Sequence, residues 1–350
     1  MLEIDKIRWD INSADYLALV DDWHVVARSK DLAEGQAMKV KLLGVELVLW
    51  RSGGRVMAWK DYCIHRGARL SEGSVRDGVL VCPYHGWEYN CEAVCTKIPA
   101  HPKQVPPLKA RAFPHRAMER YGFIWASIGD PQQDVPPFRE WEDNGFRKFY
   151  AGPYMFKANA LRAVENFLDV THFPWVHANL NGNPLDPDEI ADYEVYVKPD
   201  GLHTSEIMVF QPYGDHRGVP VHAGYTFHCS RPGTAYFSKR TGETERFCTL
   251  LTTTPIEEDE CIVWLIVAIN FGPELTQERI DFRQDQVFAQ DRRQVEAQRP
   301  YRLPLDLKEE LHIRSDKFQV EYRKWVKRLG DDAAGRRKNL APLKKQRASA

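Results

Sequence analysis

The chain has 350 residues, 43% of them hydrophobic and 28% charged, the balance of a soluble globular protein with room for one large or two ordinary domains. Lys+Arg at 48 against Asp+Glu at 49 leaves a net charge of -1, which excludes a bulk field for holding nucleic acid or an anionic membrane. The longest apolar runs, such as Cys261 to Ile269, fall far short of a bilayer span, and the N-terminus lacks the basic-then-apolar order of a secretory signal, so a cytoplasmic protein is expected.

In chain order, Met38–Trp50 (MKVKLLGVELVLW) predicts two strands turning at Gly44, and Val56–Trp59 and Val79–Cys82 predict further short strands. Close strand spacing up to about Ile128 suggests a small all-β domain, with residues 1–135 its expected extent and 22–130 its core. The Pro- and acid-rich run Asp130–Glu142 reads as a connection. Beyond it a helix is expected over Ala160–Leu168, strands from Tyr193 to Ile269, and amphipathic helices over Glu278–Gln298 and Lys317–Leu329. The fold class is therefore α+β, with a second domain over 136–330. Asp331–Ala350, with six basic and two acidic side chains, reads as a flexible basic tail.

Two short loops each present one thiolate and one imidazole: Cys63-Ile64-His65 and Cys82-Pro83-Tyr84-His85. Four soft or borderline ligands can thus converge on one site. Zinc is one occupant of such a set, but C-x-H…C-P-x-H-G-W differs from the common zinc spacings. Cys91, Cys95, Cys229, Cys248 and Cys261 read as small buried thiols, and the odd total of seven cysteines argues against a disulfide framework.

The run VENFLDVTHFPWVH places Asn166, Asp169 and His172 at steps of three, one polar stripe on a helix. His177 follows His172 by five, which on an unbroken helix turns it roughly 140° off that face. Pro174 relieves the conflict by disfavouring helix at Phe173, so the two imidazoles can meet at one metal. A carboxylate would complete a 2-His-1-carboxylate face with open positions for oxygen. Of Asp281, Asp285 and Asp291 on the late helix, Asp291 lies in the apolar stripe with Ile280, Val287, Phe288 and Val295. A core-facing carboxylate is costly unless paired or bound to metal, so Asp291 is the expected ligand, with Asp285 the fallback.

Together the two motifs resemble the catalytic (alpha) subunit of the Rieske non-haem iron oxygenases, from Trp23 to about Gly330. Within that family the stretches LLGVELVLWRS, DYCIHRG, LVCPYHGW and YRKWVKRLG are most similar to the saxitoxin-tailoring hydroxylases, and VEYRKW also to the purine-alkaloid N-demethylases. The resemblance implies a Rieske [2Fe–2S] domain followed by a helix-grip-like antiparallel-sheet catalytic domain with flanking helices. It implies Cys63 and Cys82 on the inner iron of the cluster, His65 and His85 on the outer one, and His172, His177 and Asp291 on a mononuclear Fe(II) that uses O₂. Replacing two thiolates by neutral imidazoles raises the cluster potential.

In the family Asp169 corresponds to an inter-subunit relay between His172 and a cluster histidine of the partner subunit, here matching His85, which implies a head-to-tail homotrimer. Asn166 is expected near the iron. The implied activity is monooxygenation of a small ring-containing substrate, a nitrogen heterocycle first, with oxidative N- or O-demethylation as the alternative. An electron carrier and a zinc-stapled binding module are the other classes, and the second motif argues against both. No nucleotide fingerprint G-x-G-x-x-G follows a strand and no plant-type cluster motif is present. A separate NAD(P)H-dependent reductase or a ferredoxin is therefore expected to dock near His65 and His85. Substrate-lining residues are expected among Phe210, Tyr213, Tyr225, Phe227, Tyr236 and Phe237.

Overall fold

A computed structural model describes residues 9–214 and 217–348, with 339–348 described for the backbone alone. The chain divides into two compact units, one built on Val20–Val135 and one on Asp10–Leu19 with the chain from Pro136 onward. Among the described residues no helix is long and apolar enough to cross a membrane.

The first unit is all-β. A six-stranded antiparallel sheet is made of β1 (His24–Arg28), β2 (Ala37–Leu42), β3 (Val45–Ser52), β4 (Arg55–Lys60), β9 (Pro114–Arg120) and β10 (Phe123–Ser127), in the order β1-β10-β9-β4-β3-β2. The β2–β3 hairpin turns on Leu43 and Gly44, both at positive φ (49° and 79°), the two-residue turn whose twist matches the strands it joins. Four short strands, β5 (Ser74–Arg76), β6 (Val79–Val81), β7 (Glu88–Tyr89) and β8 (Cys95–Lys97), form a second sheet in sequential order. Trp50, Trp59 and Tyr89 fill the core beneath it, the two tryptophans edge-on at 4.8 Å, and Cys63 and Cys82 belong to the same buried cluster.

The second unit is an eight-stranded antiparallel sheet with helices. Its strands are β11 (Arg147–Phe156), β12 (Val195–Lys198), β13 (Gly201–Thr204), β14 (Ile207–Gln211), β15 (Val221–Arg231), β16 (Thr234–Arg240), β17 (Arg246–Glu257) and β18 (Glu260–Ile269). They run in the order β11-β18-β17-β16-β15-β13-β12, with β14 also paired to β15. Nearly every residue of β17 and β18 is buried, which explains their continuous apolar character and the buried Cys248 and Cys261. Cys95 and Cys229 are buried free thiols too, and Cys91 is half-buried.

The helices of this unit are α1 (Ala14–Val20, its last residue at the unit boundary), α2 (Ala160–Phe167), the single turn α3 (Phe173–Val176), α4 (Gln277–Val295) and α5 (Lys317–Ala348). Asn159 caps α2 by accepting from the Leu161 N–H at 3.0 Å, and Thr276 caps α4 through the Arg279 N–H. Helix α4 packs along β11 and beside α2.

Helix α5 departs from the sequence reading, which ends it at Leu329 and leaves Asp331–Ala350 as a tail. The helix continues to Ala348, with Ala333 only 1% exposed; residues 349–350 lie outside the described residues. Gly330 is the reason the end is misread. A Cβ there would stand 2.2 Å from the Ala14 carbonyl oxygen, so this glycine permits a close helix approach and does not terminate the helix.

Candidate active site and metal centres

The Cys63 and Cys82 loops are built alike. In each, the cysteine N–H bonds to the carbonyl five residues on (Ala68 or Trp87), and a glycine four residues on (Gly67 or Gly86) returns its N–H to the cysteine carbonyl. Both glycines sit at positive φ, 72° and 68°, with Tyr62 packed on the first and Pro99 on the second. The loops therefore present their sulfurs equivalently and differ in where the histidine follows. Cys63 and Cys82 are 1% and 2% exposed. The neighbouring Cys63 thiol first, helped by the Tyr84 and His85 N–H groups against burial, pulls Cys82 down to about 6. Cys63 is pushed up by the Cys82 thiol and by burial.

The Tyr89 hydroxyl lies 3.1 Å from Cys63 Sγ, and burial pushes Tyr89 up, so it stays a hydrogen-bond donor. The His65 ring stacks flat on Trp87 at 4.5 Å and stands 4.5 Å from the His85 ring. His65 Nδ1 is buried with no hydrogen-bond partner, an orphaned lone pair beside two thiols and a second imidazole. That donor set fits a two-sulfur, two-nitrogen cluster.

The second site corrects one detail of the sequence reading. Helix α2 ends at Phe167, so Asp169 and His172 lie beyond it and are not on one helical stripe with Asn166. The cause is local: Asp169 Oδ1 accepts from Thr171 N (2.9 Å) and Thr171 Oγ1 (2.7 Å), and Oδ2 accepts from His172 N (3.2 Å), a turn that competes with the helix. His172 then opens α3, Pro174 occupies its first turn, and His177 closes it. A Cβ on Gly182 would stand 2.6 Å from Pro174 Cα, so the chain crosses directly over this turn and pins it.

The result brings three ligand atoms together. His177 Nε2 is 3.3 Å from His172 Nε2 and 3.1 Å from Asp291 Oδ1, and His172 Nε2 is 3.5 Å from the same oxygen. The far nitrogens are committed: His172 Nδ1 donates to Asp169 Oδ2 and His177 Nδ1 to Gln290 Oε1, each at 2.8 Å. Each ring is left with Nε2 to offer. Asp291 is 6% exposed and faces inward with Ile280, Gln284, Phe288 and Val295, as the helical stripe requires. Asp285 instead accepts from Tyr154 (2.8 Å) and Asp281 from Gln277 (2.9 Å).

Without metal, burial opposes a charge on His172, but Asp169 and Asp291 outweigh it and raise the imidazole to about 9. Burial likewise works to raise Asp291, and the two histidines overcome it, holding that carboxyl well below the usual range. Asp291 Oδ1 is nonetheless buried without a well-directed hydrogen bond. Two lone-pair nitrogens and one carboxylate oxygen on a single face fit a divalent iron with open positions.

Residues 22–114 match the Rieske [2Fe-2S] domain family, and residues 156–332 match the vanillate O-demethylase oxygenase C-terminal domain family. The methylxanthine N1-demethylase NdmA of Pseudomonas putida is 30% identical over 318 residues, 88% of each chain. This chain belongs to the Rieske oxygenases. A vanillate O-demethylase oxygenase subunit of Pseudomonas sp. (strain ATCC 19151) is 39% identical over 166 residues, 46% of this chain and 49% of that one. The solved structure of P. putida CBB5 NdmA with caffeine superposes with a TM-score of 0.79 at 26% identity, covering 91% of this chain and 93% of that one. As an oxidoreductase of this family the protein uses a Rieske [2Fe–2S] cluster, a mononuclear iron and O₂.

In this Rieske oxygenase a cavity opens beside His172, His177 and Asp291, with Asn166 on its wall. Phe167, Phe173, Phe227, Phe237, Phe247 and Phe288 line it. Of the aromatics expected there, Tyr225, Phe227 and Phe237 line it; Phe210, Tyr213 and Tyr236 are not on its wall, Tyr236 because alternation along its strand sends it to the face opposite Phe237.

Several polar residues escaped the sequence reading. Lys239 is buried at 4% exposure, lies over the Phe247 ring at 4.8 Å and donates to the Gly214 carbonyl. Arg283 donates to Asn181 Oδ1 (2.8 Å) and the Tyr213 carbonyl (2.6 Å). Both line the cavity. Lys239 reads as an ordinary polar position on an amphipathic strand, and Arg283 and Gln290 as solvent-facing helix residues. Only the fold turns them inward.

Proposed function

We propose that Cys63 and Cys82 hold the inner iron of the cluster, His65 and His85 the outer one, and His172, His177 and Asp291 the mononuclear iron. The observation that carries this reading is the convergence of two Nε2 atoms and one carboxylate oxygen, 3.1–3.5 Å apart, at an aromatic-walled cavity. When bound, the metals supply electron delivery and O₂ activation. The protein's own residues position and desolvate. Asp169 and Gln290 fix the imidazole tautomers. The phenylalanines hold a flat ring and exclude water. Lys239 and Arg283 supply N–H donors and positive charge for an electron-rich edge of that ring.

The reaction is hydroxylation of a C–H bond on a small ring-containing substrate: R–H + O₂ + 2 e⁻ + 2 H⁺ → R–OH + H₂O. On an N- or O-methyl group the same step yields a hydroxymethyl that collapses to formaldehyde, which is demethylation. Nitrogen heterocycles and aromatic methyl ethers or amines are the substrate classes supported by this cavity and by the likeness to demethylases. Electrons come from a separate NAD(P)H-dependent reductase or a ferredoxin, since the sequence carries no nucleotide fingerprint of its own. We place the enzyme in the cytoplasm, a setting its seven free cysteines suit, and assign it a head-to-tail homotrimer in which Asp169 links His172 to His85 of the partner subunit.

Metal analysis of anaerobically purified protein tests the reading first. About three irons and two acid-labile sulfides per chain are expected. Two irons that stay at two after Fe(II) is restored would make the chain an electron carrier, and zinc without sulfide would overturn the cluster. With metals in place, substrate-dependent O₂ uptake and formaldehyde release over methylated and unmethylated rings separate the two reaction outcomes.

A further inference from the structure

Asp200, His203 and His228 belong to neither centre above, and nothing in the oxygenase chemistry uses them. His203 on β13 and His228 on β15 are directly opposed in the antiparallel register, so both side chains leave the same face of the sheet. Asp200 lies in the turn that leads into β13 and reaches both. Its Oδ1 accepts from His203 Nε2 at 3.0 Å, its backbone carbonyl accepts from His228 Nε2 at 3.1 Å, and Oδ2 is 3.9 Å from His228 Nε2. The two rings stack with centroids 4.0 Å apart and planes at 12°. One ligand atom from each of the three residues lies within 4.8 Å of the others. Both imidazoles are about four-fifths buried while the Asp200 side chain is 53% exposed, so the trio is ordered by packing yet open to solvent on one side.

The trio lines a cavity of about 220 Å³ together with Arg139, Glu140 and Tyr236, so its wall already carries one cation and one further carboxylate. Glu140 Oε1 accepts from the Tyr236 hydroxyl at 2.7 Å, and the same carboxylate helps raise the buried Cys248 thiol.

We propose that Asp200, His203 and His228 form a further metal site, taking a borderline divalent ion such as Zn²⁺, and that the ion staples the β12–β13 turn to β15. Two imidazoles with one carboxylate are the ligands of zinc and its neighbours, while magnesium and calcium take oxygen. Bonds of about 2.0–2.2 Å in a tetrahedron set ligand atoms about 3.3 Å apart, so the two rings tilt out of their stack and close on the carboxylate. Each imidazole moves its proton from Nε2 to Nδ1 to free the lone pair. Burial already pushes His228 down, which keeps it neutral and available. β12 is the edge of the sheet, so an ion bound at the turn after it would tie down the edge.

The test uses holoenzyme with cluster and mononuclear iron filled, equilibrated with Zn²⁺ and desalted, with zinc and iron measured in the same sample. One zinc per chain beyond unchanged iron is expected, together with a rise of a few degrees in the unfolding midpoint. His203→Ala and His228→Ala should each abolish that zinc and the thermal shift while leaving iron, sulfide and the visible cluster spectrum intact. Should either alanine variant fold poorly, Asp200→Asn keeps the side-chain shape and should weaken zinc at least about tenfold. Wild-type protein that takes up no extra zinc, zinc gained only as iron is lost, or undiminished binding in the His203→Ala/His228→Ala double variant would each overturn the assignment.

Discussion

His172 and His177 are oriented by different chemistry, a carboxylate behind one and an amide behind the other. Asp169 was legible as part of a motif; Gln290 was not, because a glutamine one residue before Asp291 carries no spacing signal. Replacing Gln290 with Leu leaves the His177 Nδ1–H without an acceptor and frees the ring to turn. Mononuclear iron affinity should fall about 10- to 100-fold with the cluster spectrum unchanged. Iron retention equal to wild type after dialysis against a mild chelator would count against this role. Protons compete with iron at the same atoms. His172 is raised to about 9 in the metal-free fold, so its charged pairing stabilises that fold below its ordinary pKa of 6.5 and is lost as pH rises through 9. Iron must displace that proton, so apparent iron affinity should climb between pH 6.5 and 9 and then level, as read by chelator competition.

At the scale of elements, the turn from His172 to His177 depends on a glycine outside the motif. Gly182 lies against Pro174, and a Cβ would meet Pro174 Cα at 2.6 Å and its nitrogen at 2.7 Å, backbone atoms that cannot yield cheaply. Gly182→Ala should displace α3 and lose mononuclear iron while the cluster, in the other unit, keeps its visible absorption. Loss of both centres together would show that the substitution unfolds the chain. Helices α2 and α5 are joined by a buried ion cluster. Arg323 donates to both oxygens of Glu165 at 2.5 and 2.8 Å, and Arg162 and Arg323 also reach Glu310. Arg323→Ala leaves Glu165, 10% exposed, with only the longer 3.7 Å pairing to Arg162, so a cost of about 3 kcal/mol in denaturant unfolding is expected. None of these pairs is visible in the sequence, since Glu165 and Arg323 are 158 residues apart.

For the whole molecule, the proposed assembly predicts a particle of about three times the 40.5 kDa chain mass, measurable by light scattering. With Fe(II) supplied in excess, Asp169→Ala should keep the trimer and fill both metal sites but lower coupled turnover at least about tenfold. Single-turnover reduction of the mononuclear site by the reduced cluster separates a broken relay from a misplaced His172, because only the relay defect slows electron arrival while leaving the Fe(II) spectrum unchanged. Full turnover in that variant would remove Asp169 from the electron path.

Short-range pattern determined much of this protein. The Cys-His loops, the Pro174 break between two histidines, and the apolar stripe carrying Asp291 are each written within about twenty residues, where helical period, strand alternation and proline geometry act directly. Tertiary structure alone decided what those segments meet. It brought Asp291 to a turn more than a hundred residues earlier, aimed Lys239 and Arg283 into the cavity, set His203 opposite His228, and used Gly330 as a helix contact instead of an ending. Local propensity is blind to such pairings because they are selected by how whole elements pack against one another.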